Sequence, residues 1–401
     1  MKRAAVKRRP APSRPDDLVV FLGPSLPEEE ALALAPCRVL PPARQGDVWR
    51  ALSLRPRAIA LVDGVFEAQP SVWHHELLAA LDAGVTVFGG ASMGALRAAE
   101  LAEHGMVGVG HIFEAYRRGE LVDDSEVALL HADAEHGFRP FSVPLVNVRH
   151  AARLARGARV LVPREAQALV DAAAALFYQD RTWPRVLAAV AEAWRPATRA
   201  KWDAWAAGGL EDLKREDARA CIQAAGAFVA SGVPAPARAR THRAAPSSYV
   251  RRRRLVEGLC ALGEELVSSE DVLDVLREAP DAAALAEEGL RRALLAGWAR
   301  TLGLVPTPEE VARAEAEWWA HLGLSPEERE AWLAACGLDA HELRRLCEER
   351  ALERLTLEHA TRLLPDGPSW DEALANEARL QGRWVEEARG LVTPKRSRRK
   401  R

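Results

Sequence analysis

Short, continuously apolar runs alternate with helix-forming segments along the first third of the chain. Each run ends at glycine, proline or aspartate, which favour turns. Strands of a parallel sheet are buried on both faces, so their sequences carry few polar residues. The predicted strands are residues 18–22, 37–40, 57–62, 85–88 and 128–131. Strands that alternate with helices across short links predict an α/β domain, with a parallel Rossmann-like sheet and right-handed crossovers.

The later pattern is helical, and composition marks the domain boundaries. Helical periodicity between the strands predicts short helices, one of which starts after Ser71 as its N-cap. From residue 161 the periodicity is helical almost throughout, and it predicts an all-α C-terminal region. The predicted organisation is a basic disordered tail (1–16), an α/β domain (17–160), a helical extension (161–231), a Pro/Arg-rich linker (232–254), a helical domain (255–390) and a second basic tail (391–401).

Composition excludes several classes of protein. The 401 residues are 48% hydrophobic and 28% charged, which is typical of globular proteins. Five scattered cysteines without a C-x-x-C pair favour neither a disulfide framework nor a zinc site, and they suit a cytoplasmic protein. No apolar run is long enough to span a membrane. The net charge of −2 includes basic ends, but no groove-reading motif accompanies them, so nucleic-acid binding is not expected.

The segment 85–105 combines a strand, a tight turn and a helix. Its sequence 90–94 is Gly-Ala-Ser-Met-Gly, which fits the G-x-S-x-G pattern of a nucleophile elbow. Gly89, Gly90 and Gly94 are expected to supply backbone conformations with positive φ. Three roles remain open for Ser92: a helix N-cap, a part of a turn that binds an anion or a carbonyl, and a nucleophile. No Lys-Ser/Thr pair follows the glycines, which excludes a Walker-type phosphate loop.

Other candidate side chains are expected near this turn, because ligands of such sheets bind beyond the carboxyl ends of the strands. Asp63 ends a predicted strand, either as a site carboxylate or as a turn residue. His74 opens a helix, where the helix dipole favours a neutral imidazole, although an exposed surface histidine fits equally. Arg97 and Glu100 are spaced for an ion pair. Asp123, Asp124 and Glu126 form an acidic cluster, but no histidine cluster accompanies it, so no metal site is predicted.

Eight sequence blocks in a fixed order resemble the TfuA-like family over residues 18–153. They are FLGPSL (21–26), PPARQGD (41–47), DGVFE (63–67), VWHHE (72–76), FGGASMGALRAAEL (88–101), GMVGVG (105–110), DDSEV (123–127) and His131. Many members carry Ser-Ser ahead of Met-Gly, where this chain has Ala-Ser. Ser92 is therefore the one hydroxyl of its turn.

The resemblance implies a function beside YcaO enzymes, which use ATP to activate a peptide backbone amide. It implies a role in thioamidation of ribosomal peptides, with a thiocarboxylated ubiquitin-like sulfur-carrier protein recognised or hydrolysed to supply sulfide. No cofactor is expected. Hydrolysis of a thioacid needs a nucleophile or bound water, a base and oxyanion donors. Ser92 is the candidate nucleophile, His74 the base and Asp63 its orienting partner. The candidate substrate-binding residues are Ser25, Glu76, Gly90, Gly94, Arg97, Asp124 and His131.

Two further hypotheses stay open beside the hydrolase. The protein could be a non-catalytic recruiter or activator of a YcaO cyclodehydratase. An ordinary small-molecule α/β hydrolase is disfavoured, because no Asp and His with a recognisable context follow the serine. Cys37, the one cysteine of the region of resemblance, falls in a predicted strand, and we expect it to be a packed core thiol.

Overall fold

A parallel sheet of five strands forms the N-terminal part of the protein. The structure, a computed structural model, describes residues 14–66, 69–233, 248–262, 265–338, 340–359, 367 and 369–392. The strands are β1 (Leu18–Phe21), β2 (Arg38–Leu40), β3 (Ala58–Leu61), β4 (Thr86–Gly89) and β5 (Val107–Gly108). Their order is β2-β1-β3-β4-β5, and all four pairings are parallel. The predicted α/β fold is therefore confirmed.

Helices cover both faces of this sheet. The helices that do so are α1 (Glu28–Leu34), α2 (Asp47–Leu52), α3 (His74–Asp82), α4 (Met93–Leu101), α5 (His111–Arg117) and α10 (Leu213–Ser231). Between α5 and α10 the chain forms α6 (Leu145–Gly157), α7 (Pro163–Ala174), α8 (Trp183–Ala189) and α9 (Pro196–Ala206). One core packs side chains of α2 to α5 against Val19, Ile59 and Val87. A second core packs α1 and α10 against Val20 and Ala60 of the opposite sheet face. Neighbouring strand residues thus point to opposite cores, as β geometry requires.

Two details of the predicted sheet are wrong. Residues 128–131 form no strand, and His131 makes only an isolated antiparallel bridge to Pro140. The fifth strand is instead β5, which is only two residues long and pairs with Phe88 and Gly89. A two-residue strand that contains a glycine carries too little apolar pattern to be recognised. The predicted start of the helix before β4 is also wrong, because the N-cap of α3 is Trp73 and not Ser71.

The helical extension after the sheet has its own core. Residues of α6 to α9 pack around Trp202, which is almost fully buried. The rings of Trp183, Trp194 and Trp205 each lie within 5.8 Å of it, centroid to centroid. Aromatic rings at such distances stabilise a core beyond the area they bury.

The chain divides into two compact units, the first comprising Met1–Asp274 with Leu333–Gly337 and the second Val275–Trp332 with Leu338–Arg401. The later elements are α11 (Ser248–Glu257), β6 (Leu259–Leu262), β7 (Glu265–Ser268), α12 (Ser269–Glu278), α13 (Ala282–Thr301), α14 (Pro308–Leu322), α15 (Pro326–Ala335), α16 (Ala340–Glu358), α17 (Trp370–Leu380) and α18 (Arg383–Val392). The predicted helical C-terminal region is confirmed, except that β6 and β7 form an antiparallel hairpin.

Some predicted segments fall outside the described residues. These are most of the first basic tail (1–13), most of the linker (234–247) and most of the second tail (393–401). Among the described helices, none combines the length and the apolar character that crossing a bilayer demands.

Candidate active site at the carboxyl edge of the sheet

The turn between β4 and α4 is shaped by close backbone contacts. A Cβ on Gly94 would lie 1.7 Å from the carbonyl oxygen of Leu61, and a Cβ on Gly89 would lie 2.2 Å from the carbonyl oxygen of Gly94. A Cβ on Gly90 would lie 2.8 Å from the carbonyl oxygen of Val109. The positive φ, 64°, belongs to Ala91. The prediction that these glycines supply positive φ is wrong, because they allow close approach instead.

Ser92 occupies the N-cap position of α4, but its side chain forms no capping hydrogen bond. The residue is 2% exposed, and its amide donates to the carbonyl of Gly90 at 2.8 Å. Within the described part of the chain, neither the Ser92 hydroxyl nor the amide of Met93 has a hydrogen-bond partner. Because the Ser92 side chain accepts no helix N–H, the geometry does not support the cap role. In a nucleophile elbow, the amide that follows the nucleophile donates to the oxyanion, and the Met93 amide occupies that position here.

Asp63 fixes the loop that follows β1. Its Oδ2 accepts from the amides of Gly23 at 2.8 Å and Ser25 at 3.0 Å, and its Oδ1 accepts from the Ser25 hydroxyl at 2.6 Å. Both Asp63 and Ser25 are buried. The strand order β2-β1-β3-β4-β5 has a topological switch point between β1 and β3, because the chain adds β2 on one side of β1 and β3 on the other. In parallel sheets, ligands commonly bind at such a point. Asp63 thus holds the loop of Gly23 and Ser25 in place at this edge of the sheet.

A cavity of about 400 Å³ opens at this edge, and we call it the Ser92 cavity. It brings together three predicted site residues, Asp63, Ser92 and His131, with one that was not predicted, Lys214. The remaining lining residues are Pro24, Gly64, Phe66, Val127, Leu129, Leu130, Tyr178 and Gln179. A hydroxyl, an imidazole, an amine and a carboxylate around one cavity are suited to acyl-transfer chemistry.

His131 has one ring nitrogen engaged. Its Nδ1 lies 2.6 Å from the carbonyl oxygen of Ala132, and a carbonyl can only accept. The proton of a neutral ring therefore sits on Nδ1, which leaves Nε2 with a lone pair. The imidazole can accept a proton in the Ser92 cavity.

Lys214 is a residue of the Ser92 cavity that the sequence does not predict. It lies on α10 and is 2% exposed, and its Nζ donates to the carbonyl of Val127 at 2.9 Å. Burial lowers the pKa of this amine, while the nearby carboxylates of Asp63 and Asp212 oppose the change. A lysine in a helical extension carries no motif, and only the packing of α10 on the sheet reveals its position.

His74 and Arg97 lie away from the Ser92 cavity. His74 Nε2 is 2.8 Å from Glu100 Oε2, and Arg97 donates to the same oxygen at 2.7 Å. Arg97 also donates to the carbonyl of Val72 at 3.1 Å. With Asp124, Arg97 and Glu100 line a second cavity of about 450 Å³. His74 therefore contacts Glu100 and not Ser92 or Asp63. The carboxylate oxygens of Asp63 are instead engaged by the loop after β1.

Glu76 is a buried structural carboxylate. It accepts hydrogen bonds from the amides of Gly46, Val48 and Trp73, with the shortest of these at 2.7 Å. Burial raises the pKa of Glu76 to about 7, against the opposing effect of these amides. Its contacts join the starts of α2 and α3, and it lines none of the cavities described above.

Cys37 is a packed thiol, and one group of side chains has the spacing of metal ligands. Cys37 is buried just before β2, and burial raises the pKa of its thiol to about 11, which keeps it protonated. His150, Glu211 and Glu216 place ligand atoms within 4.8 Å of one another. Arg153, however, donates to His150 Nδ1, so the Nε2 of a neutral ring carries a proton and donates to Glu211. This geometry disfavours a metal at the cluster.

Part of the chain matches a known family. Residues 63–182 match the family model described as TfuA-like protein. This region is TfuA-like. No curated protein sequence matches the chain.

The TfuA-like region contains Asp63, Ser92 and His131 but not the whole site. It begins at Asp63, after β1, β2 and β3, and it ends before α10. Ser25 and Lys214 therefore come from parts of the chain outside the matched region. The Ser92 cavity is assembled from the TfuA-like region together with the segments on either side of it.

Proposed function

We propose that this protein is an accessory protein of a YcaO enzyme in peptide backbone thioamidation, and that its Ser92 cavity hydrolyses a thiocarboxylated ubiquitin-like carrier to release sulfide. TfuA-like proteins are generally associated with YcaO enzymes, and residues 63–182 belong to that family. The observation that carries the hydrolytic part is the Ser92 hydroxyl. It is buried, it forms no capping bond, and it lines a cavity with His131 and Lys214.

The proposed reaction needs only water as co-reactant. Ser92 Oγ attacks the carbonyl carbon of the thiocarboxylate, and its proton moves to His131 Nε2. The carbon–sulfur bond then breaks, and the sulfur leaves as hydrosulfide with that proton. Water then attacks the resulting serine ester with His131 as the base, and the proton taken from water returns to Ser92 Oγ as the ester bond breaks. The carboxylic acid that forms on the carrier releases its proton to solvent and becomes a carboxylate. The Met93 amide donates to the oxyanion in both steps.

Lys214 and Asp63 have supporting roles in this proposal. A thiocarboxylate is an anion, and a buried anion needs a cation or hydrogen-bond donors. Lys214 Nζ supplies donors in the cavity, and a bound anion beside it favours the charged ammonium form of the amine. The sequence instead suggests Arg97 as the cation among the candidate substrate-binding residues. Arg97 is already paired with Glu100. Asp63 holds the loop of Gly23 and Ser25, which places Pro24 in the cavity wall.

Sulfide release by the full-length protein tests the proposal. The substrate is a ubiquitin-like carrier with a C-terminal thiocarboxylate, and the unmodified carrier is the blank. We expect Ser92→Ala to keep its melting temperature and to reduce turnover by about three orders of magnitude. Ser53→Ala is a matched control, because that hydroxyl donates to the carbonyl of Leu259 and lines none of the cavities described. Sulfide release by Ser92→Ala at the wild-type rate would contradict the proposal.

Chemical rescue tests the base separately. His131→Gly removes the imidazole, and we expect added imidazole to restore part of the lost turnover. Imidazole should not rescue Ser92→Ala, which lacks the nucleophile. A protein that binds the YcaO partner but releases no sulfide in any form would instead be the non-catalytic recruiter.

A further inference from the structure

Arg181 is a buried cation that, among the described residues, forms no hydrogen bond to a carboxylate. It is 2% exposed and lies between α7 and α8. Among the described residues, its hydrogen bonds all go to carbonyl oxygens: Ala173 at 2.9 Å, Leu176 at 3.2 Å and Ser125 at 3.4 Å. The nearby carboxylate of Glu126 is held by Arg149, with two hydrogen bonds of 2.9 and 2.7 Å. A buried charge is unfavourable unless it is paired, so Arg181 has capacity for an anion.

The guanidinium also has donors to spare, and it borders open space. A guanidinium carries five N–H donors, of which the three carbonyls take three. Arg181 lines a cavity of about 440 Å³, which we call the Arg181 cavity. The other lining residues are Phe66, Asp124, Ser125, Ala128, Ala174, Ala175, Leu176, Phe177 and Tyr178. Phe66 and Tyr178 also line the Ser92 cavity, so the two cavities are neighbours.

We propose that the Arg181 cavity is a binding site for a carboxylate group of a peptide ligand. A carboxylate is planar and can accept from two guanidinium N–H groups at once. It carries a single charge, whereas a dianion such as phosphate would be repelled more strongly by Asp124 in the same lining. Phe66, Leu176 and Phe177 offer apolar surface to the rest of the peptide. Binding of a carboxylate in this cavity depends on Arg181 and does not require any chemistry at Ser92.

Arg181 also joins carbonyls near the end of α7, so substituting it would disturb the fold. Ala175 gives a cleaner test, because it lines the same cavity, is exposed and has no polar side chain. Ala175→Glu places a negative charge at the cavity, and Ala175→Gln adds a side chain of nearly the same size without charge. The pair separates electrostatic repulsion of an anion from steric blocking.

The experiment is a titration of the full-length protein with N-acetylglycine, in which binding is measured by calorimetry or NMR. N-acetylglycinamide is the neutral control, and inorganic phosphate is the dianion control. We expect N-acetylglycine to bind the wild type and Ala175→Gln in preference to both controls. Ala175→Glu should bind it about tenfold more weakly than Ala175→Gln, and added salt should reduce this difference.

Three outcomes would overturn the site. They are no binding of N-acetylglycine by the wild type, equal binding of N-acetylglycine and its amide, and equal affinities of the Glu and Gln variants. Tighter binding of phosphate would overturn the ligand class. None of these measurements needs turnover, so they stand apart from the test of sulfide release.

Discussion

The Ser25 hydroxyl donates a hydrogen bond to Asp63 Oδ1, with 2.6 Å between the two oxygens, and this bond links two loops that follow neighbouring strands of the sheet. Both side chains are buried, and Asp63 also accepts from two backbone amides of the loop that contains Ser25. The carboxylate of Asp63 therefore acts as a structural hydrogen-bond acceptor at the topological switch point between β1 and β3. Its importance lies in the shape of the Ser92 cavity rather than in orienting a histidine.

The first prediction separates the hydrogen bonds of Asp63 from its charge. Asn can accept from the two amides and donate to the Ser25 hydroxyl, so Asp63→Asn should lower the free energy of unfolding by only about 1 kcal/mol. Ala leaves two amides and a hydroxyl buried without partners, and Asp63→Ala should lose about 3 kcal/mol or more. Urea denaturation measures both variants. Equal losses would show that the charge, not the set of hydrogen bonds, matters.

The second prediction concerns the close approach at Gly94. Gly94→Ala should destabilise the protein by about 3 kcal/mol or more, because the new methyl meets a backbone carbonyl of a buried strand. Gly157→Ala is the control, since a Cβ there meets nothing within 4 Å. That change should be neutral or stabilise α6 by up to about 1 kcal/mol. Thermal unfolding of the two variants is the measurement, and a tolerated Gly94→Ala would contradict the packing.

The third prediction assigns Lys214 to binding the substrate anion. Lys214→Met keeps the length of the side chain but removes its charge, so kcat/KM for the thiocarboxylated carrier should fall by about tenfold or more, mainly through KM. Burying a charge is itself unfavourable, so the free energy of unfolding should change by no more than about 2 kcal/mol. An unchanged KM together with unchanged stability would remove Lys214 from the site.

The fourth prediction is a pH dependence from Glu76. Its pKa is raised from 4.5 to about 7 in the folded protein, so between these pH values the folded state holds a proton that the unfolded state has released. The free energy of unfolding should therefore decrease as the pH rises through this window, by up to about 3 kcal/mol from this group.

Glu76→Gln supplies the comparison. Glutamine has no proton to release, so the difference in unfolding free energy between wild type and variant should vary with pH only within that window. The variant should also be less stable at every pH, because its amide group faces backbone donors. Parallel pH profiles for the two proteins would contradict the shifted pKa.

The sequence predicted those parts of the site that depend on local pattern. The strands before Ser25, Asp63 and Ser92 are apolar and end at turn residues, so their common edge follows from the parallel arrangement. Which side of a helix faces a cavity is decided by packing, so the sequence predicts the helix of His74 but not the contact of its imidazole with Glu100. Lys214 lies far along the chain in an ordinary helix, and no local pattern marks it.

The glycines of the central turn illustrate the same limit. The turn itself was predicted, but the sequence could not tell whether glycine was needed for its φ angle or for its missing side chain. Only the distance from Gly94 to Leu61 answers that question. In the same way, β5 depends on its pairing with β4 rather than on a pattern of its own.

The position of α10 has a consequence for synthesis of the protein. This helix supplies Ala218, Cys221, Ile222, Ala225 and Val229 to the core on one face of the sheet, yet it follows the last strand of that sheet by about a hundred residues. While the chain emerges from the ribosome, all five strands are complete long before their cover is made. That apolar face must wait for α10, which makes the nascent chain a candidate client of chaperones during this interval. Truncation before Leu213 should therefore yield aggregated protein rather than a smaller folded domain.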